Sequence, residues 1–163
     1  MNDLNEQMKR LKIGVEKVIN VLPAQAGSIA VAHAQDNFNR QQFGSNGIAW
    51  KASSTNKSKT LFDTGNLMRS INYKRMGNMK VSIFSDAPYA QLHNEGGKVK
   101  ITKKMRSFFW YKHKATGLAF WKYLALTKGD YLSFPKRQFM GHHNDIDDTI
   151  GEWLDEQMDS LFT

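Results

Sequence analysis

Cysteine is missing from the 163 residues, which excludes disulfides and thiolate metal sites and leaves the cellular compartment open. Long apolar runs are missing as well. No uncharged stretch approaches the roughly 18 residues that a membrane span needs, so a soluble protein with no membrane contact is expected. The opening MNDLNEQMKRL has no apolar segment of the kind a secretory signal carries. There is no internal repeat and no glycine-rich phosphate loop. The length suits one domain, or one domain with an appendage, and allows a real core.

Charge of one sign is scarce in each of two stretches after residue 50. Residues 51–140 hold eighteen Lys/Arg against four Asp/Glu, whereas residues 141–163 hold no Lys/Arg and seven Asp/Glu. The overall charge of +8 hides this gradient. A basic body with an acidic tail is compatible with nucleic acid, with acidic partners, or with head-to-tail contact between copies.

Leu4, Met8, Leu11, Val15, Val18 and Leu22 recur at helical spacing and predict one helix face. Pro23 should end or kink that helix or open the next, which would run from Ala24 to about Arg40. A long polar loop pinned by Trp50 follows, and Asp63-Thr64-Gly65 resembles a helix cap. Residues 70–76 and 80–85 read as two strands around a tight turn at Gly77-Asn78.

Residues 98–129 are basic and aromatic. Thr102 and Thr116 are suited to cap two helices with Gly117 between them, an inserted helical hairpin. "YLSFPKRQF" reads as a further strand, confined to an edge by Pro135. Ile146, Ile150, Trp153, Leu154, Met158 and Leu161 form the stripe of a final acidic helix, with Asp145, Asp147 and Asp148 at its N-terminal end. The expected fold is α+β: a small, mostly antiparallel sheet backed by N- and C-terminal helices. Residues 1–97 and 130–163 would form one domain, and 98–129 the insertion.

"DAPYAQLHNEGG", residues 86–97, looks most like a site. On an extended strand, His93 and Glu95 would point to one side and could meet a metal or a substrate. A metal centre usually needs three or four protein ligands, and nothing in the sequence fixes His142, His143 and Asp145 near His93. No nucleophile motif accompanies the pair. His33 reads as a core-edge residue. Catalytic, cofactor-binding and metal-binding residues are therefore all expected to be none. The insertion could stack bases on its aromatics, but "GLAFWKYLAL" is apolar nearly all round and calls for burial against protein. Phe108, Phe109, Trp110, Trp121 and Trp153 are the candidate partner contacts.

"FDTGNLMRSI", a hairpin, "APYAQLHNEGG" and then "PKRQFMG" together resemble the virion morphogenesis, or tail-completion, family of tailed bacteriophages (the Mu- and P2-type proteins). The pattern covers about Phe38 to Gly141, with Phe38 and Trp50 matching an upstream aromatic pair. It falls on Thr64, Gly65, Leu67, Ser70 and Ile71, on Tyr89, Ala90, His93, Gly96 and Gly97, and on Pro135, Arg137, Phe139 and Gly141. The long insertion departs from it. The resemblance implies a non-enzymatic structural protein of a phage or prophage, without cofactors, that completes the tail or neck so that head and tail join. Its partners would be other head–tail connector and tail proteins and further copies in a ring, with nonspecific DNA contact as an accessory. It would be found in the virion and assembled in the bacterial host cytoplasm. The alternative is a basic nucleic-acid-binding protein.

Overall fold

The computed structural model describes residues 2–52, 60–62 and 64–162, with side chains from residue 4. Helix α1, Asn2–Arg40, is one element of 39 residues, about 58 Å long at 1.5 Å per residue. The break expected at Pro23 does not occur, and the two expected helices are one. An internal proline removes one backbone hydrogen bond and crowds the preceding turn, at about 3 kcal/mol. Here Pro23 is buried, and the Ala-rich run after it is packed against the rest of the body, which outweighs that local cost. The helix ends at Gln41, whose φ is 59°. The Gln41 side chain donates to Phe38 O at 2.6 Å and Thr60 O at 3.0 Å, and accepts from Thr60 N at 2.6 Å.

The second half of α1 carries the main core. Ala34 and Phe38 meet Leu67, Ile71, Ala90 and Phe139. Helix α2 (Asn66–Arg69) leads into strands β1 (Ile71–Gly77) and β2 (Lys80–Ser85), which pair antiparallel from Ile71↔Ser85 to Gly77↔Lys80 with an irregularity between Arg75 and Gly77. The turn is Asn78-Met79, one residue later than expected, with Gly77 ending β1. Tyr73 on β1 packs closely against Gly27 of α1, where a Cβ would stand 2.3 Å from the ring.

Helix α3 (Ala90–Glu95) comes next, then β3 (Gly97–Lys100), α4 (Lys103–Thr116), α5 (Ala119–Leu126) and β4 (Tyr131–Phe134). β3 and β4 pair antiparallel from Gly97↔Phe134 to Lys100↔Tyr131. The strands among the described residues thus form two two-stranded antiparallel sheets, where a single small sheet was expected. The helical hairpin is present, but residues 98–100 are strand, so its helices begin only at Lys103. Thr102 caps α4 by accepting from Met105 N at 3.2 Å. Thr116 does not cap α5, whose N-cap is Leu118; its hydroxyl turns back to Lys112 O. A second apolar cluster of Ile101, Phe109 and Ala125, flanked by Met105, Trp121, Leu124 and Leu132, shares no residue with the first.

Helix α6 (Asn144–Asp159) returns antiparallel along α1, with Asp145 near His33 and Leu161, just past its end, over Gly14. Among the described residues no helix is long and apolar enough to cross a membrane. The fold is α+β.

Candidate functional site

The fold brings the two halves of the phage-like pattern together. Thr64, Gly65 and Leu67 line one small cleft with Tyr89 and His93. Gly65 stands at the N-cap of α2 with φ 73° and no side-chain cap; Asp63, the other expected cap residue, lies outside the described residues. Arg69 closes over the turn, donating to Thr64 O at 2.7 Å and Asn66 Oδ1 at 2.9 Å. The Ser70 hydroxyl donates to Leu67 O and lies 2.7 Å from that of Ser85, tying α2 to the end of β2.

His93 and Glu95 are not on a strand. They belong to α3, where residues two apart are separated by about 200° around the axis, so the expected shared face does not exist. Glu95 is exposed beside Gln91. The His93 ring packs edge-on to Tyr89 and Phe134, at 5.9 and 6.0 Å between centroids. Burial, and secondarily the Arg137 cation, hold its pKa below the ordinary histidine value.

Between them sits Asn94, a residue with no distinguishing signal in the sequence. Its Oδ1 accepts from both Phe139 N and Met140 N at 2.9 Å. On the other side Asn37 donates to Phe139 O at 3.2 Å and accepts from Gly44 N at 2.9 Å. Trp50 Nε1 donates to Gln138 O at 3.0 Å. The buried Arg137 donates through its backbone N–H to His93 O at 2.8 Å and through Nε to Lys51 O at 3.1 Å. Phe139 then inserts beside Phe38, with ring centroids 5.0 Å apart.

Gly96 has φ 74°, and a Cβ there would stand 2.7 Å from Lys136 N and 3.1 Å from Phe134 O. Only glycine lets the two backbones approach this closely. Gly97 opens β3, and Gly141 (φ 150°) passes close to Gln138 and Phe43. Pro135 ends β4 on the exposed side. Of the polar side chains of the pattern, those of Ser70 and Arg137 donate to backbone carbonyls, whereas His93 Nδ1 is buried with no hydrogen-bond partner among the described residues.

On the hairpin, Phe109 is buried in its own cluster and Trp121 is half-buried against it, with centroids 6.1 Å apart. Phe108, Trp110, Tyr111, Leu118, Tyr123 and Leu126 are exposed. Arg106, one of the run of basic residues, turns inward and donates to Ala125 O at 3.0 Å, Thr127 O at 2.7 Å and Gly129 O at 3.4 Å. It thereby closes the carbonyl end of α5. Trp153 is half-buried on α6.

Away from the pattern, α1 and α6 bring His33, His143 and Asp145 together. His142 points elsewhere, to Asp147 at 2.8 Å. Burial keeps the His33 pKa below its ordinary value against the opposing pull of Asp145. Hydrogen bonds from Ser45 hold that of Asp145 below the usual carboxylate value. His33, read from the sequence as a core-edge residue, meets the other two only because α6 folds onto α1.

No curated protein and no solved structure matches the chain significantly. Comparison with protein families matches residues 19–159 to the phage virion morphogenesis family. That stretch takes in the second half of α1, the cleft, the Asn94–Phe139 junction, the hairpin and all of α6, and the chain belongs to the phage virion morphogenesis family.

Proposed function

We propose that this chain is a non-enzymatic structural subunit that completes the tail or neck of a phage particle so that head and tail join. The observation that carries this reading is the family match over residues 19–159. The geometry agrees with a structural role: Leu67, Ile71, Ala90, Arg137 and Phe139 of the pattern are buried, while the apolar face of the hairpin stands outside the body they hold.

The working form proposed is a ring of copies that also contacts head–tail connector and tail proteins. Glu152, Asp155 and Glu156 are exposed on α6 and, among the described residues, pair with no Lys or Arg. Like charges four apart on a helix repel, so Glu152 and Glu156 favour a cationic neighbour. Lys98 and Lys100 of β3 and Lys103, Lys104 and Lys114 of the hairpin are exposed and, among the described residues, form no ion pair. A contact between the acidic face of one copy and the basic face of the next is heterologous, the kind that closes into rings when the rotation permits.

The test is removal of the gene from a phage or inducible prophage that carries it. Filled heads and tails should accumulate unjoined, and purified protein added to the lysate should restore joined, infectious particles. Normal joined particles in the absence of the chain, or a block before DNA packaging, would overturn the reading.

A further inference from the structure

Asp145 lies in the first turn of α6, and His143 is the residue that caps that helix. His33 projects from α1 onto both. The His33 Nε2 atom is 3.6 Å from Asp145 Oδ2, beyond hydrogen-bond reach, and His143 Nδ1 is 3.2 Å from Asp145 Oδ1. One ligand atom from each of the three lies within 4.8 Å of the others. Two donors bound to the same tetrahedral zinc at about 2.0 Å are roughly 3.3 Å apart, so the donor atoms, now within 4.8 Å of one another, draw closer as the ion binds.

Two further observations point to a ligand. His33 Nε2 is buried and has no hydrogen-bond partner among the described residues, and such an atom ordinarily finds one. The rings are also held in place before any ion arrives. The two imidazoles stack at 5.5 Å and 22°, and the Phe43 ring stands edge-on to both. Gly44, at φ 71°, leaves room for His143, since a Cβ there would fall 2.2 Å from Nε2. Behind the carboxylate, Ser45 donates its N–H and its hydroxyl at 2.8 Å each, the outer-shell support that metal-binding carboxylates ordinarily have.

We propose that His33, His143 and Asp145 form a zinc site that clasps α1 to α6. Two imidazoles and one carboxylate are a borderline donor set that suits zinc, with cobalt(II) as its spectroscopic substitute. Water takes the fourth position from the adjoining cleft, which Ile29, Asp36, Arg40 and Thr149 also line. Binding exchanges one existing bond, because His143 Nδ1 accepts from Asp145 N at 3.2 Å. Asp36 already pairs with Arg40, so that cation is neutralised locally.

The test uses the untagged full chain, stripped with chelator and titrated with zinc chloride in a calorimeter and with cobalt(II) in a spectrophotometer. One ion per chain is expected, with tetrahedral cobalt absorption and a rise in the thermal midpoint. His33→Gln and Asp145→Asn should each weaken binding by about tenfold or more, and His142→Ala should leave it unchanged. Circular dichroism confirms folding of each variant, and the near-isosteric Asp145→Asn keeps the test decisive should His33→Gln fail to fold. Absence of saturable binding up to about 0.1 mM metal, or binding unaffected by both substitutions, would overturn the proposal. So would an equal loss in His142→Ala.

Discussion

Asn94 and Phe139 are joined by a bond from the Phe139 N–H to the Asn94 side-chain oxygen at 2.9 Å, and the same oxygen takes the next N–H, that of Met140. One amide thus satisfies two backbone donors where the 137–141 segment enters the core. Asn94→Ala should strand both, lowering stability by about 2 to 4 kcal/mol. Asn94→Asp retains the acceptor and should lose less. Urea unfolding of the two variants checks the order; equal losses would mean the bond contributes little.

His93 gives the body an acid-sensitive point. Its folded-state pKa is depressed by burial and by Arg137, so the unfolded chain takes up the proton more readily. Its stabilising contribution is therefore full above about pH 6.5 and is lost as pH falls from there through the lower, folded-state pKa. His93→Phe preserves the edge-on ring packing and should flatten that part of the stability profile between neutral and mildly acid pH. Thermal midpoints measured across pH for both proteins would reveal it; parallel curves would dismiss the idea.

The hairpin should be separable from the body. Its cluster shares no residue with the main core, and β3 pairs directly with β4 at its base. Replacing residues 102–129 by a short Gly/Ser turn, which keeps the β3–β4 ladder, should leave cooperative unfolding of the remainder while abolishing incorporation into particles. Inside the intact chain, Arg106→Ala should release three carbonyls and speed amide exchange in α5 with little effect on β1 or β2. Loss of all structure on excision would place the hairpin in the core.

Assembly between copies, where it occurs with the purified chain, should depend on salt. Glu152, Asp155 and Glu156 changed together to Lys should weaken it without unfolding α6. Raising salt until the Debye length falls from roughly 10 Å to 3 Å should do the same. Light scattering across a salt series reads both, and an oligomer indifferent to both treatments has an apolar contact instead.

What was legible in the sequence is what is local. The strand pair β1 and β2, the Thr102 cap, the Gly117 junction and the stripe of α6 each lie within one window of chain, and all appear in the fold. Pro23 misled because its cost is local and its compensation is not: the surrounding helix is held by packing with α6, β1 and β2. α3 misled because six residues are too few to establish a period, and the glycines after it suggested the end of a strand. The polar clamps on Phe139 and the His33 cluster were illegible for a different reason. They join segments as far apart as Ser45 and Asp145, 100 residues, and no spacing rule reaches across that distance.

That same reach sets an order on the ribosome. Asn37 and Phe139, 102 residues apart, meet in the body's core, so the core cannot close until residue 139 has left the exit tunnel. The β3–β4 unit has far shorter loops and can form first, since nearby contacts cost less loop-closure entropy. During that delay the apolar face of α1 emerges uncovered, a natural client for a chaperone. Nascent chains stalled on a C-terminal extension, so that Phe134 has just left the tunnel while Phe139 is still inside, should therefore be digested by protease at α1 while the hairpin resists, and equal resistance in both would show that the body does not wait.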